Sequence, residues 1–161
     1  MMASPARTLR SFRSVLRLPA IQRRLHVRAL ATVVVIRAAL TLLPSRLIIR
    51  GVARLSSDRP GARTKGLDPR MITRAVERVS LRVPGATCLT QALAAHMLLW
   101  SHGHRSSLCL GVARTEQGDF RAHAWLESQG RIVIGADGVA KLTRLPALPA
   151  SPRFVPRQDP T

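Results

Sequence analysis

Three residue types able to perform thiol chemistry occur in a telling order. Cys88 opens an apolar stretch that runs to Trp100, directly after Pro84-Gly85-Ala86-Thr87. His123 follows within Ala122-His123-Ala124-Trp125-Leu126-Glu127, and Asp137 within Ile134-Gly135-Ala136-Asp137-Gly138. A cysteine attacks only as its thiolate, and a free thiol ionises near about 8.5. Two features lower that barrier here. Cys88 falls in the first turn of an expected helix, whose positive end favours an anion. His123 can take the proton and hold the pair as thiolate and imidazolium. An acid must then orient the second imidazole nitrogen. Asp159 lies in a proline-rich tail. Glu127 shares the strand face of His123 but sits ~13 Å along it, at ~3.3 Å per residue. Asp137, just past the next strand, can return beside His123 across a hairpin, and is the expected orienter.

The other candidates read differently. Cys109 lies in Leu108-Cys109-Leu110 with no histidine nearby in sequence, the pattern of a small core residue. His96 falls two turns along the Cys88 helix, at the core or its edge, and His102 and His104 flank Gly103 as expected solvent-facing turn residues. These histidines show no zinc-ligand spacing, and neither metal nor cofactor is expected. The backbone N–H of Cys88 is the natural first donor to an oxyanion. Thr87 and Gln91 are both candidates for the second.

The elements that must position these groups follow from periodicity and punctuation. Residues 29–43 are apolar around a central Arg37 and stop at Pro44. That is shorter than the ~20 residues of a bilayer span. A helix packed on the domain, a partner or a membrane surface is expected instead. Residues 46–55 continue amphipathically, with Leu47, Ile48, Val52 and Leu55 apolar. Residues 56–66 read as a linker. Asp68-Pro69 then starts a helix as N-cap and first residue, with Ile72, Ala75, Val76 and Val79 as its apolar stripe. The Cys88 helix runs to about Trp100 and stops near Gly103. Three strands follow: 107–113, 120–127 and 131–134, joined by turns at 115–119 and 128–130. The expected fold is α+β: a thiol-enzyme core with its cysteine at a helix N-terminus, packed on a small antiparallel sheet and preceded by N-terminal helices. The expected division is a basic arm (1–28), a helical region (29–55), the catalytic core (67–140) and a proline-rich tail (141–161).

Composition bounds the rest. The 161 residues suffice for one domain with a core, and the hydrophobic content is 46% despite a net charge of +18. Two cysteines without paired spacing argue against a disulfide scaffold and fit a reducing cytoplasm. No tyrosine and only two tryptophans leave little for base stacking, so no nucleic-acid partner is expected. Eleven arginines and no acid precede Asp58. That asymmetry suggests docking onto an acidic partner or an anionic membrane surface.

Over residues 29–138 the chain resembles the stand-alone B2-type peptidases of lasso-peptide biosynthesis, within the transglutaminase-like superfamily of papain-like thiol enzymes. The resemblance rests on the Arg-interrupted helix ending in Leu43-Pro44, on Arg74-Ala75-Val76, and on Pro84-Gly85-Ala86-Thr87-Cys88-Leu89-Thr90-Gln91-Ala92-Leu93. It continues through Leu98-Leu99, Gly103, Leu110-Gly111-Val112, Ala122-His123-Ala124-Trp125-Leu126-Glu127 and Gly130-Arg131. It implies a cysteine peptidase that removes the leader from a ribosomal precursor before a separate cyclase closes the macrolactam. Its implied partners are the precursor leader, a leader-binding B1-type protein and the lasso cyclase. Carried onto this chain, Cys88 is the nucleophile, His123 the base and acid, and Asp137 the orienter. Two rivals remain: an acyl transferase or amidase on the same fold, and a non-catalytic basic module binding nucleic acid or a partner.

Overall fold

A computed structural model describes residues 19–55, 67–114 and 119–145. The first 18 residues of the expected arm, the expected linker, most of the first hairpin turn and residues 146–161 of the expected tail lie outside these residues.

Helix α1 spans Ala20–Leu42, beginning nine residues before the apolar stretch. It buries Leu25, Ala29, Val33 and Ile36, spaced three to four apart. Leu43 takes an extended conformation (φ −127, ψ 150), as the ring of a following proline imposes on its predecessor, and α1 ends. Helix α2 spans Ser45–Leu55. Its core contacts are Ile49 and Val52, whereas Leu47 stays half in solvent. Helix α3 spans Pro69–Ser80, and Asp68 caps it by accepting from the Arg70 backbone N–H at 2.8 Å. The expected stripe Ile72, Ala75, Val76 and Val79 is fully buried.

Helix α4, Cys88–Ser101, is the central element. It packs against α1 and α3 on one side and strands β1 and β2 on the other. Burial on both sides explains why its sequence is apolar almost all round. Ala92, Ala94 and Ala95, all fully buried, let the neighbouring elements approach closely. The helix ends at His102, followed by Gly103 with φ 83, a backbone conformation open to glycine at low cost.

The sheet contains β1 (Ser107–Arg114), β2 (Phe120–Ser128), β3 (Arg131–Ile134) and β4 (Thr143–Arg144) in the order β3-β2-β1-β4. Its β1–β2, β2–β3 and β1–β4 pairs are antiparallel. The short β4 was not expected from sequence. Two residues carry too little periodicity to announce a strand, and only pairing with Gly111 and Val112 defines it. Alternation divides β2 into two faces. Leu126 joins the helical core with Ile134. His123, Trp125 and Glu127 share the opposite face, covered in part by Leu142 and Arg144.

Candidate active site

Cys88 is the first residue of α4, and the turn before it is built to start a helix there. Thr87 is extended (φ −95, ψ 171) and forms a capping box with Thr90. The Thr90 backbone N–H donates to Thr87 Oγ1 at 3.4 Å, and the Thr87 N–H donates to Thr90 Oγ1 at 3.3 Å. The two hydroxyl oxygens lie 3.2 Å apart. Thr87 shapes the nucleophile's turn, and accepting from the Thr90 N–H leaves its own hydroxyl proton available to donate. The N–H groups of Cys88 and Leu89 have no hydrogen-bond partner among the described residues, as expected of a helix's first donors. Gln91 is half-buried, and its carboxamide makes no hydrogen bond among the described residues.

The loop before Cys88 leans on α1. Gly85 has φ +70, and a Cβ placed there would lie 2.5 Å from Arg37 Nη2. The guanidinium occupies the space a side chain would need. Arg37, the one charge inside the apolar stretch, thus lies against the loop that carries the nucleophile.

His123 sits in β2, half-buried, with its Nε2 2.9 Å from the Gly135 carbonyl oxygen. A carbonyl only accepts, so Nε2 carries the proton. Neutral imidazole then has its lone pair on Nδ1, the tautomer that a base working through Nδ1 requires. Gly135 has φ +73, and a Cβ there would come within 2.9 Å of the Ala124 carbonyl oxygen and 3.2 Å of His123 Nε2. Sequence reasoning overlooked this residue. The only available signal was a glycine directly after a strand, which is common.

Asp137 lies exposed in the turn after β3. Neither Asp137 nor Cys88 is hydrogen-bonded to His123 among the described residues. Helix α4 packs on β2, but His123 lies on the face of β2 opposite the one that joins the helical core, so this packing alone does not bring the two side chains together. Asp137 is two residues from Gly135, within about 7 Å by chain geometry.

Behind His123 a polar clamp holds the sheet. Trp125 Nε1 donates to Glu127 Oε1 at 2.9 Å, and Arg144 reaches both Glu127 oxygens at 3.2 and 3.1 Å. Arg144 Nη2 also lies 2.7 Å from Cys109 Sγ, and its guanidinium stands 5.8 Å from the Trp125 ring centre. Cys109 is buried as expected, but it belongs to this clamp as well as to the packing. Burial, and then the Glu127 charge, push its thiol up to about 11. Burial alone would raise Glu127. The Trp125 indole N–H and the Arg144 charge outweigh it and hold the carboxyl below its ordinary value. Glu127 is thus committed to Trp125 and Arg144.

Two histidine expectations are corrected. His102 is buried, with Nδ1 2.8 Å from the Leu98 carbonyl oxygen, and terminates α4 rather than facing solvent. His104 is half-buried and donates from Nε2 to the Leu67 carbonyl oxygen at 2.9 Å, tying the start of α3 to the end of α4. The Leu98 carbonyl also accepts from the Ser101 hydroxyl and the His102 N–H, so it gathers the end of α4 onto one oxygen. His96 bonds Ser106 Oγ at 2.8 Å through Nδ1, and burial lowers its pKa. Among the described residues no three His, Cys, Asp or Glu side chains converge as metal ligands.

A cysteine at the head of a central helix, packed on a small antiparallel sheet that bears the histidine, defines a fold shared by thiol peptidases and acyl transferases. The sequence model of the transglutaminase-like superfamily matches residues 30–147, and the chain belongs to that superfamily. No curated protein and no solved structure matches it.

Proposed function

We propose that the protein is a cysteine peptidase that removes the leader from a lasso-type ribosomal precursor, before a separate cyclase forms the macrolactam. The superfamily supports cysteine-based acyl chemistry. The narrower reading rests on the motifs around Cys88 and His123. The observation that carries the catalytic assignment is the His123–Gly135 bond, which leaves Nδ1 as the basic nitrogen.

In the proposed reaction His123 Nδ1 takes the Cys88 proton, and the thiolate attacks the carbonyl of the last leader residue. The tetrahedral oxyanion is met by the unpaired N–H of Cys88, with the Gln91 carboxamide as second donor. The imidazolium protonates the departing amine, which becomes the N-terminus of the core peptide. His123 then deprotonates a water that attacks the thioester, releasing the leader carboxylate and regenerating the thiol. Asp137, on the same turn as Gly135, supplies negative charge towards the imidazolium. A leader-binding protein presents the precursor and the cyclase consumes the product. The reaction suits a reducing cytoplasm and needs no metal or organic cofactor.

Mass spectrometry of the cognate precursor, incubated with the leader-binding protein and either wild type or Cys88→Ala, tests the proposal. Cleavage at one bond by wild type alone is expected. Cleavage by both removes Cys88 from the mechanism. An amine adduct on the leader carboxyl in place of the acid would establish an acyl transferase. No processing of a precursor that demonstrably binds would leave a binding module.

A further inference from the structure

Helix α1 is apolar on the face it buries and on the face it leaves open. Leu25, Ala29, Val33 and Ile36 turn into the core. On the opposite side Val27, Val34, Val35 and Leu42 are exposed by 62, 47, 64 and 81%, and Ala31 and Ala38 between them are exposed as well. From Val27 to Leu42 this ridge is about 22 Å long at 1.5 Å per residue. A helix apolar all round is normally covered all round. Here a core covers one side only, although the 23-residue helix, longer than the apolar stretch expected from sequence, is by length and composition long and apolar enough to cross a membrane.

Charge indicates what covers the other side. Arg23, Arg24 and Arg28 are exposed at the head of α1, and Arg46, Arg50 and Arg54 on α2 beyond its tail. No acidic residue occurs anywhere in 19–55. A second copy on this face would bring two arginine sets together with no acid to pair them. A sheet of lipid phosphates matches a ridge that is aliphatic in the middle and cationic at both ends. Arginine stems can lie along the acyl boundary with their heads among the phosphates. We infer that the exposed face of α1 docks the protein onto an anionic phospholipid surface, with the helix lying in the plane of the interface. Because Arg37 of the same helix rests on Gly85, docking would hold the nucleophile's loop close to the bilayer. The inference does not depend on the peptidase reading.

The test is co-sedimentation of the full chain with phosphatidylcholine vesicles, with and without about 30% phosphatidylglycerol, at about 0.15 M salt. The double variant Val35→Glu/Leu42→Glu alters the ridge. The pair Gln129→Glu/Ile132→Glu makes the same charge change on the β2–β3 hairpin. Binding to the anionic vesicles only is expected, weakened at least about tenfold by the ridge variant and less than about twofold by the hairpin variant. No binding by wild type overturns the inference, and so does equal loss in both variants, which would leave attraction by net charge alone. A concentration-dependent dimer abolished by the ridge variant would assign the face to a second copy instead. Should the ridge variant melt below room temperature, a polarity-sensitive dye on Val35→Cys in a Cys88→Ser background replaces it. A blue shift on anionic vesicles is expected, and an unchanged spectrum overturns the inference.

Discussion

His123 and Gly135 meet where the chain leaves β3, with the imidazole Nε2 2.9 Å from the glycine's carbonyl oxygen. The contact exists because Gly135 lacks a side chain: a Cβ would press on both that nitrogen and the Ala124 carbonyl oxygen. The main chain thereby does what a carboxylate does in many thiol and serine enzymes, which is to select the tautomer.

Gly135→Ala should therefore affect stability and activity together. Its φ of +73 is unfavourable for any residue with a Cβ. A loss of about 1–3 kcal/mol is expected from strain of this kind. Chemical denaturation measures that loss. Precursor cleavage at a temperature where the variant is still folded should show a further fall in kcat, because the imidazole is displaced. Unchanged kcat in the folded variant would mean that the carbonyl does not position His123.

Asp137→Asn should cost far less than His123→Ala. Where a carboxylate sets the tautomer, its amide variant loses about 10⁴ in kcat. Here the Gly135 carbonyl sets it, leaving Asp137 only its charge. A loss of about tenfold is expected for Asp137→Asn, one pKa-unit equivalent of electrostatic stabilisation. A loss of about a thousandfold or more would show that Asp137 contacts the imidazole directly during turnover. Single-turnover cleavage of the precursor separates the two.

Thr87→Ala should destabilise the protein by about 1 kcal/mol, the usual cost of losing an N-cap. The variant loses the acceptor for the Thr90 N–H, while the N–H of residue 87 can still reach Thr90 Oγ1. Thermal melts give the stability change. Because α4 would fray at the end that carries the nucleophile, alkylation of Cys88 should also slow per thiolate present. An unaltered alkylation rate would show that the cap acts on stability alone.

The two thiols should behave oppositely. Cys88 is half-buried and should be alkylated in the native state, whereas Cys109 should react only on unfolding. Cys109 also makes stability depend on alkaline pH. Its folded value is raised from 9.0 to about 11, so its contribution is present below pH 9 and is lost as pH rises towards 11. In that interval the unfolded chain has released the proton and the folded chain has not, so stability falls by at most about 1.4 kcal/mol per pH unit. Urea denaturation of wild type and Cys109→Ala across this range should show a steeper fall in wild type. Parallel curves would contradict the assignment.

At acid pH the sign reverses. Glu127 is held below its ordinary value by Trp125 and Arg144, which outweigh its burial. Its contribution is present above the unfolded carboxyl pKa and is lost as pH falls through the folded one. Glu127→Gln should flatten the acid limb of the stability curve, as read by chemical denaturation below about pH 5. Arg144 is largely exposed, so the effect should be small and weaken with salt.

Local patterns carried much of the architecture. Asp68-Pro69 announced α3, the apolar stripe from Ile72 to Val79 announced the face it buries, and alternation with turn residues announced β1 to β3. These signals act over a few residues, so they survive in any tertiary context. The same is true of Cys88 at the head of a helix, because Thr87 and Thr90 form their cap within four residues. Residues 20–28 joined α1 although their arginines read as an arm, because Leu25 and Ala29 reach the core. Contacts between distant segments were invisible. The capture of His104 by the Leu67 carbonyl depended on where the chain turns. So did β4, the Arg144 clamp on Cys109 and the seat of Arg37 on Gly85.

By itself, then, the order of residues determined an α+β chain with a cysteine-led helix, a histidine-bearing strand and a strongly cationic, acid-free N-terminal region. Only the tertiary structure decided that a backbone carbonyl holds His123 and that α1 has one covered face and one bare one. Each of those facts depends on which groups meet across long sequence separations. Packing settles that, and periodicity along the chain does not encode it.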